Sequence, residues 1–71
     1  MVRIEGIRWD NGVSAVFDLQ VSSTNELPEK GSVLGGMRVA AGTIAQCIQD
    51  GRFYTMDDDG AWYDSDGNEA S

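Results

Sequence analysis

Apolar and polar residues alternate along most of this chain, with a period of two rather than that of a helix. The first such stretch reads V-R-I-E-G-I-R-W, then D-N-G, then V-S-A-V-F-D-L-Q-V. Asn-Gly between alternating runs predicts a β-hairpin whose turn is Asn11-Gly12. With that turn, Ala15 faces Arg8, Phe17 faces Gly6, Leu19 faces Ile4 and Val21 faces Val2. Val2, Ile4, Ala15, Phe17, Leu19 and Val21 then share one side, and Phe17 covers the bare backbone at Gly6. The register places Glu5 opposite Asp18, a like-charge pair that Arg3 offsets only in part.

A polar stretch follows, S-S-T-N-E-L-P-E-K-G-S, with the chain's one proline and a single apolar anchor, Leu27. Ser23 and Glu26 have the spacing of a capping box, but Pro28 stops any helix at once. An irregular connection with at most one helical turn is expected. Val33 to Ile48 supports two readings. Met37, Ala40, Ala41, Ile44, Ala45 and Ile48 follow helical spacing, whereas Gly35, Gly36 and Gly42 would each cost about 1 kcal/mol inside a helix. The preferred reading is two short strands, near Met37–Ala40 and Thr43–Gln49, with a helix as the alternative.

From Ala41 to Tyr63 the pattern predicts three short strands joined by two glycine turns, Asp50-Gly51 and the turn ending at Gly60. A two-residue turn at Asp50-Gly51 pairs Ile48 with Phe53, Cys47 with Tyr54, Gln46 with Thr55 and Ala45 with Met56. One face then carries Ile44, Ile48 and Phe53; the other carries Ala45, Cys47, Tyr54 and Met56. Both are largely apolar, although a half-exposed antiparallel sheet normally has one polar face. One face is therefore expected to form the domain's core. The other, with Ala45, Cys47, Tyr54, Met56 and Trp62, is expected to meet a second subunit. The fold expected is a small, mainly antiparallel β-hairpin and meander domain that self-associates. It spans residues 1–64, followed by a flexible acidic tail at 65–71.

Composition sharpens this picture. At 71 residues a single core is only marginally sufficient. One cysteine and no histidine leave no intrachain disulfide and almost no route to structural zinc, so association is the remedy left. A net charge of −7 argues against nucleic acid and anionic membranes as partners. No apolar run approaches the ~20 residues of a membrane span, and M-V-R-I-E-G lacks the apolar centre of a signal peptide. The expected location is a cytoplasm or a particle assembled there, which suits one unpaired thiol.

Candidate chemistry is thin. Without histidine, Ser-His and Cys-His nucleophilic catalysis is impossible, and the acids fall in turns rather than around a cleft, so no enzyme and no cofactor are expected. Cys47, in an apolar strand, reads as a small hydrophobe. Asp57, Asp59 and Asp66 partly match an EF-hand spacing, but Thr55 stands at the first ligand position and Trp62 and Tyr63 interrupt the loop. Solvated turn residues are the preferred reading over weak calcium binding. Six acids between Asp57 and Glu69 also raise a DNA-mimicking inhibitor, yet they are not strung along one face. Phe53, Tyr54, Trp62 and Tyr63 would suit a glycan platform, although aromatics in so short a chain more often serve core or interface.

Three stretches carry a family likeness: V-S-S-T-N-E-L-P-E-K-G, G-G-M-R-V-A-A-G-T-I-A and D-G-R-F-Y-T-M-D-D-D-G-A-W-Y-D. Their order, over residues 20 to 67, resembles small structural proteins of tailed bacteriophages and prophages, including modules of head and tail fibres. The matching positions are Leu27, Pro28, Gly42, Thr43, Phe53, Tyr54, Gly60 and Trp62. The resemblance implies a β-rich virion or assembly component whose matching positions are structural rather than catalytic, with a threefold homo-oligomer and other virion proteins as partners. The alternative function is a small acidic binding module, either an inhibitor of a host protein or a glycan binder.

Overall fold

The structure, a computed structural model, describes residues 2–70. Seven strands form one mixed sheet: β1 Arg3–Asp10, β2 Ser14–Val21, β3 Val33–Leu34, β4 Met37–Val39, β5 Ile44–Cys47, β6 Phe53–Met56 and β7 Trp62–Asp64. Among the described residues the helical content is a single 3-10 turn at Thr24–Glu26. Val33 to Ile48 therefore takes its strand reading, and Gly42, at φ +96°, stands in a backbone region closed to a helix.

The strongest alternation in the chain makes the central strand. Along β2 every second residue, Ala15, Phe17, Leu19 and Val21, is buried, and those between are half-buried. β1 pairs antiparallel along one edge of β2. The other edge is shared by two strands, β4 beside Ser14 and Ala15 and β5 beside Asp18 to Val21, both parallel to β2. This departs from the expected antiparallel meander. Parallel neighbours need a long crossover, and residues 22–43 supply it, a tertiary choice that no local pattern encodes.

Where β4 gives way to β5, Thr43 fills the break. Its hydroxyl accepts the Phe17 N–H at 3.2 Å and donates to the Ala40 carbonyl at 2.8 Å, so the ladder continues through a side chain. On the far side, β5, β6 and β7 form the expected meander, in the order β2-β5-β6-β7. The segment 28–32 then ties the two flanks of the sheet together. The Trp62 indole donates to the Pro28 carbonyl at 2.9 Å, while Gly31 and Ser32 exchange backbone hydrogen bonds with Val39 on β4. With one short segment bound to both β7 and β4, the sheet wraps around Phe17, Val21, Val39, Cys47 and Met56.

Both hairpin registers differ from the two-residue expectation. In the first, Asp10 pairs with Ala15 and Trp9 with Val16, so the loop is longer than Asn11-Gly12. Irregularities between Ile4 and Gly6 and between Ile7 and Trp9 then each absorb one residue of β1, which restores the expected Ile4–Leu19 pair. Gly6, not Glu5, comes to lie opposite Asp18. In the second, Phe53 pairs with Gln46 rather than Ile48, a slip of two residues that leaves each side chain on its expected face. The longer loop lets Asp50 accept the Arg52 N–H at 3.0 Å and the Tyr54 hydroxyl at 2.6 Å.

The expected tail at 65–71 is also corrected. Ala70 donates to the Trp62 carbonyl at 2.8 Å and packs against the core, and Glu69 bridges to Tyr63. The fold thus continues through Ala70; Ser71 lies outside the described residues.

Candidate interaction face

The residues expected at a subunit interface form the core instead. Ala45, Cys47, Tyr54, Met56 and Trp62 are all buried within the chain, together with the inward residues of β2. The face of the β5–β6 hairpin that packs on the core is the one with Ala45, Cys47, Tyr54 and Met56, not the one with Ile44, Ile48 and Phe53. Because β2 lies beside β5, its inward side chains select which face of the hairpin is covered, and pairing within the hairpin cannot reveal that. Cys47 is a free, buried thiol.

Three aspartates at seven-residue spacing, Asp50, Asp57 and Asp64, organise the turns. Asp57 Oδ1 accepts the N–H groups of Asp59 and Ala61, and Asp64 Oδ1 accepts those of Asp66 and Asn68. The repeated D-x-D-G signals these twin turns, and it explains the docked tail. Of the acids with partial EF-hand spacing, the Asp57 carboxylate closes its own turn and Asp66 belongs to the next one, and no metal-holding group of acids forms among the described residues. Asn11 acts likewise, accepting the Val13 and Ser14 N–H groups, and Gly12 and Gly51 take the positive-φ positions of their loops.

Asp64 is the most enclosed of these acids. Its side chain is 3 % exposed, and its second oxygen receives Arg52 Nη1 at 2.8 Å. The Asn68 and Asp66 backbone donors, with Arg52, hold its carboxyl below the usual carboxylate range. The Tyr54 hydroxyl and the Arg52 N–H lower Asp50 in the same way, and in return Asp50 pushes the Tyr54 phenol up to about 12. Glu69 and then Asp57 raise Tyr63 by repulsion of its phenolate. These hydrogen bonds stabilise the turns.

The chemistry left open to solvent lies on the outer face of the sheet. A cleft of about 420 Å³ crosses four strands there. Glu5, Arg8 and Asp18 line it from β1 and β2, and Ile44, Gln46, Phe53 and Thr55 from β5 and β6. Arg8 Nε contacts Asp18 Oδ1 at 2.8 Å, and Arg3 lies 3.3 Å from Glu5. Of the aromatic residues proposed in the sequence for a binding platform only Phe53 lies here. Glu5 and Arg8 are the residues that the β1 irregularities leave without a cross-strand partner, so the cleft depends on bulges that alternation conceals. Trp62 and Tyr54 are in the core and cannot join Phe53 in a glycan platform.

Large apolar side chains are also exposed: Ile4, Ile7 and Trp9 on β1, Val13 in the first loop, Val33, Ile48 and Phe53. Among the described residues β1 pairs only with β2, and none of its own residues is buried. Among the described residues no helix is long and apolar enough to cross a membrane. No protein-family model, no curated protein and no solved structure matches this chain.

Proposed function

We propose that this chain is a non-enzymatic structural protein that acts through surface contacts, as a virion-associated or fibre-attachment component of a bacteriophage or prophage. The observation that carries the contact role is β1: eight residues with Ile4, Ile7 and Trp9 exposed, beside a core that is closed without them. Exposed apolar groups concentrated on one ribbon mark an interaction surface. The phage assignment is supported by the order of sequence motifs over residues 20 to 67. The self-association surface thus moves from the buried Cys47–Tyr54 face to the β1–β2 ribbon, with a threefold homo-oligomer favoured by the resemblance.

Light scattering after gel filtration tests the first part. An oligomer at micromolar concentration, shifting toward monomer with Trp9→Ser, is the expected result; a monomer at every concentration overturns it. Mass spectrometry of purified phage particles tests the second, and absence of the chain from particles overturns the virion role. The cleft beside Phe53 favours a second reading, a small acidic binding module, in which a host protein co-purifies instead.

A further inference from the structure

The sheet ends in β1, β3 and β7, and two of these ends are short or covered. β3 has only two residues. Along β7 the chain's own last residues take the outer edge: the Asp64 and Ala70 N–H groups donate to the Asn68 and Trp62 carbonyls, and Glu69 bridges to Tyr63. β1 is different. It is eight residues long and, among the described residues, β2 is its one partner, so its other edge presents backbone donors and acceptors with no strand beside them.

The two irregularities of β1 decide which of its residues share a face. Ile4, Ile7 and Asp10 pair with the buried Leu19, Phe17 and Ala15 and so lie on the inner side of the sheet. Arg3, Gly6 and Trp9 pair with Gln20, Asp18 and Val16 on the outer side. A repeat of two has become a repeat of three, with Glu5 and Arg8 as the extra residues. Ile4 and Ile7 border the core, yet they are 39 % and 45 % exposed.

We propose that β1 pairs antiparallel with β1 of a second copy, across a twofold axis at Ile7, and joins two sheets edge to edge. Opposed residues of an antiparallel pair point to the same face, which restricts how β1 can lie along itself. An overlap centred between Glu5 and Gly6 keeps the faces but sets Arg3 against Arg8 of the other copy, a like-charge contact. Centred on Ile7, the strand sets Ile7 against Ile7 on the inner side. Arg8 then falls within one position of the other copy's Glu5, and Arg3 within one position of its Asp10. Each bulge meets a bulge of the other copy, so no residue is left over. Arg3 and Arg8 already touch Glu5 and Asp18 within the chain, so the dimer lengthens a row of alternating charges and needs no bare one. This deepens the contact-surface reading above and rests on it: the ribbon joins through its backbone edge, and closure is twofold in place of the threefold arrangement that the resemblance favours.

Sedimentation equilibrium and amide hydrogen exchange of the full chain, each over a concentration series, test the pairing. A dimer is expected, with β1 amides that exchange fast in dilute solution slowing as it forms. Opposed residues stand about 4.5–5.5 Å apart at Cα, within disulfide reach, so Ile7→Cys should cross-link as a dimer on mild oxidation. Arg3→Cys should not, because the two positions would lie over about 20 Å apart. Cys47 is buried and stays out of this reaction. Ile7→Lys places two ammonium groups opposite each other and should weaken the dimer about fivefold. A trimer, an oligomer whose β1 amides exchange as fast as in the dilute chain, or equal cross-linking by Arg3→Cys overturns the edge pairing and leaves the contact-surface reading standing. A monomer at every concentration overturns both.

Discussion

Thr43 does at one residue what a strand does elsewhere. Fully buried between β4 and β5, it satisfies the Phe17 N–H and the Ala40 carbonyl with one hydroxyl. Thr43→Val keeps the shape and leaves the buried amide without a partner, so chemical denaturation should show a loss of about 1–3 kcal/mol. Thr43→Ser should recover most of it. The aspartates act at the same scale with a pH signature. Asp50 and Asp64 are depressed in the folded chain, so their contribution is present above their ordinary pKa of 3.8 and is lost as pH falls through the lower folded values. Thermal melts should therefore drop in Tm below about pH 4, and Asp64→Asn should flatten that dependence. At the alkaline end Tyr54 has the opposite sign. Its stabilising bond to Asp50 is complete below pH 10.0 and disappears as pH rises toward about 12, which phenolate absorbance and melts can follow together.

At the scale of elements, turns carry much of the specification. Gly60 has φ +87°, and a Cβ there would stand 3.0 Å from Lys30 Cβ, while Gly12 has the same φ with open space around it. Gly12→Ala should cost only the backbone strain, about 1–2 kcal/mol. Gly60→Ala should cost more, because it also pushes Lys30, whose ammonium holds the Asp58 carbonyl at 2.6 Å. Urea denaturation of the two variants separates these terms. The hairpins show the limit of reading turns by dipeptide. Asn11-Gly12 and Asp50-Gly51 both mark loops, yet each loop is longer because an Asn or Asp side chain recruits further N–H groups. Even slips keep the faces, so alternation on β2, β5 and β6 remained legible. On β1 the bulges broke it, and with it the positions of Glu5 and Arg8.

For the whole molecule, the two tryptophans report different events. Trp62 is buried and bonded to Pro28, whereas Trp9 is 55 % exposed on the edge strand. In a Trp62→Phe variant, Trp9 alone should emit as a solvated indole when dilute and shift blue on concentration as subunits associate. A spectrum independent of concentration would argue against the ribbon as the contact. Seven of the twelve acids lie between Asp50 and Glu69 with only Arg52 among the bases there. The repulsion is therefore concentrated on the β6–β7 turns, away from β1, and added salt should strengthen association only modestly.

The sequence by itself determined the β class, the central alternation of β2, the turns at Asn11-Gly12, Asp50-Gly51 and Gly60 and the amphipathic division of the β5–β6 hairpin. These are local matters, set by side-chain alternation, glycine and Asx chemistry within a few residues. Only the tertiary structure decided which hairpin face is core, that β4 and β5 run parallel to one edge of β2, that the last turn docks Ala70, and that Glu5, Arg8, Asp18 and Phe53 share a cleft. Each of those depends on strands distant in sequence competing for the same edge or the same apolar surface, and a strand's own pattern states that it has an inner face without stating what covers it.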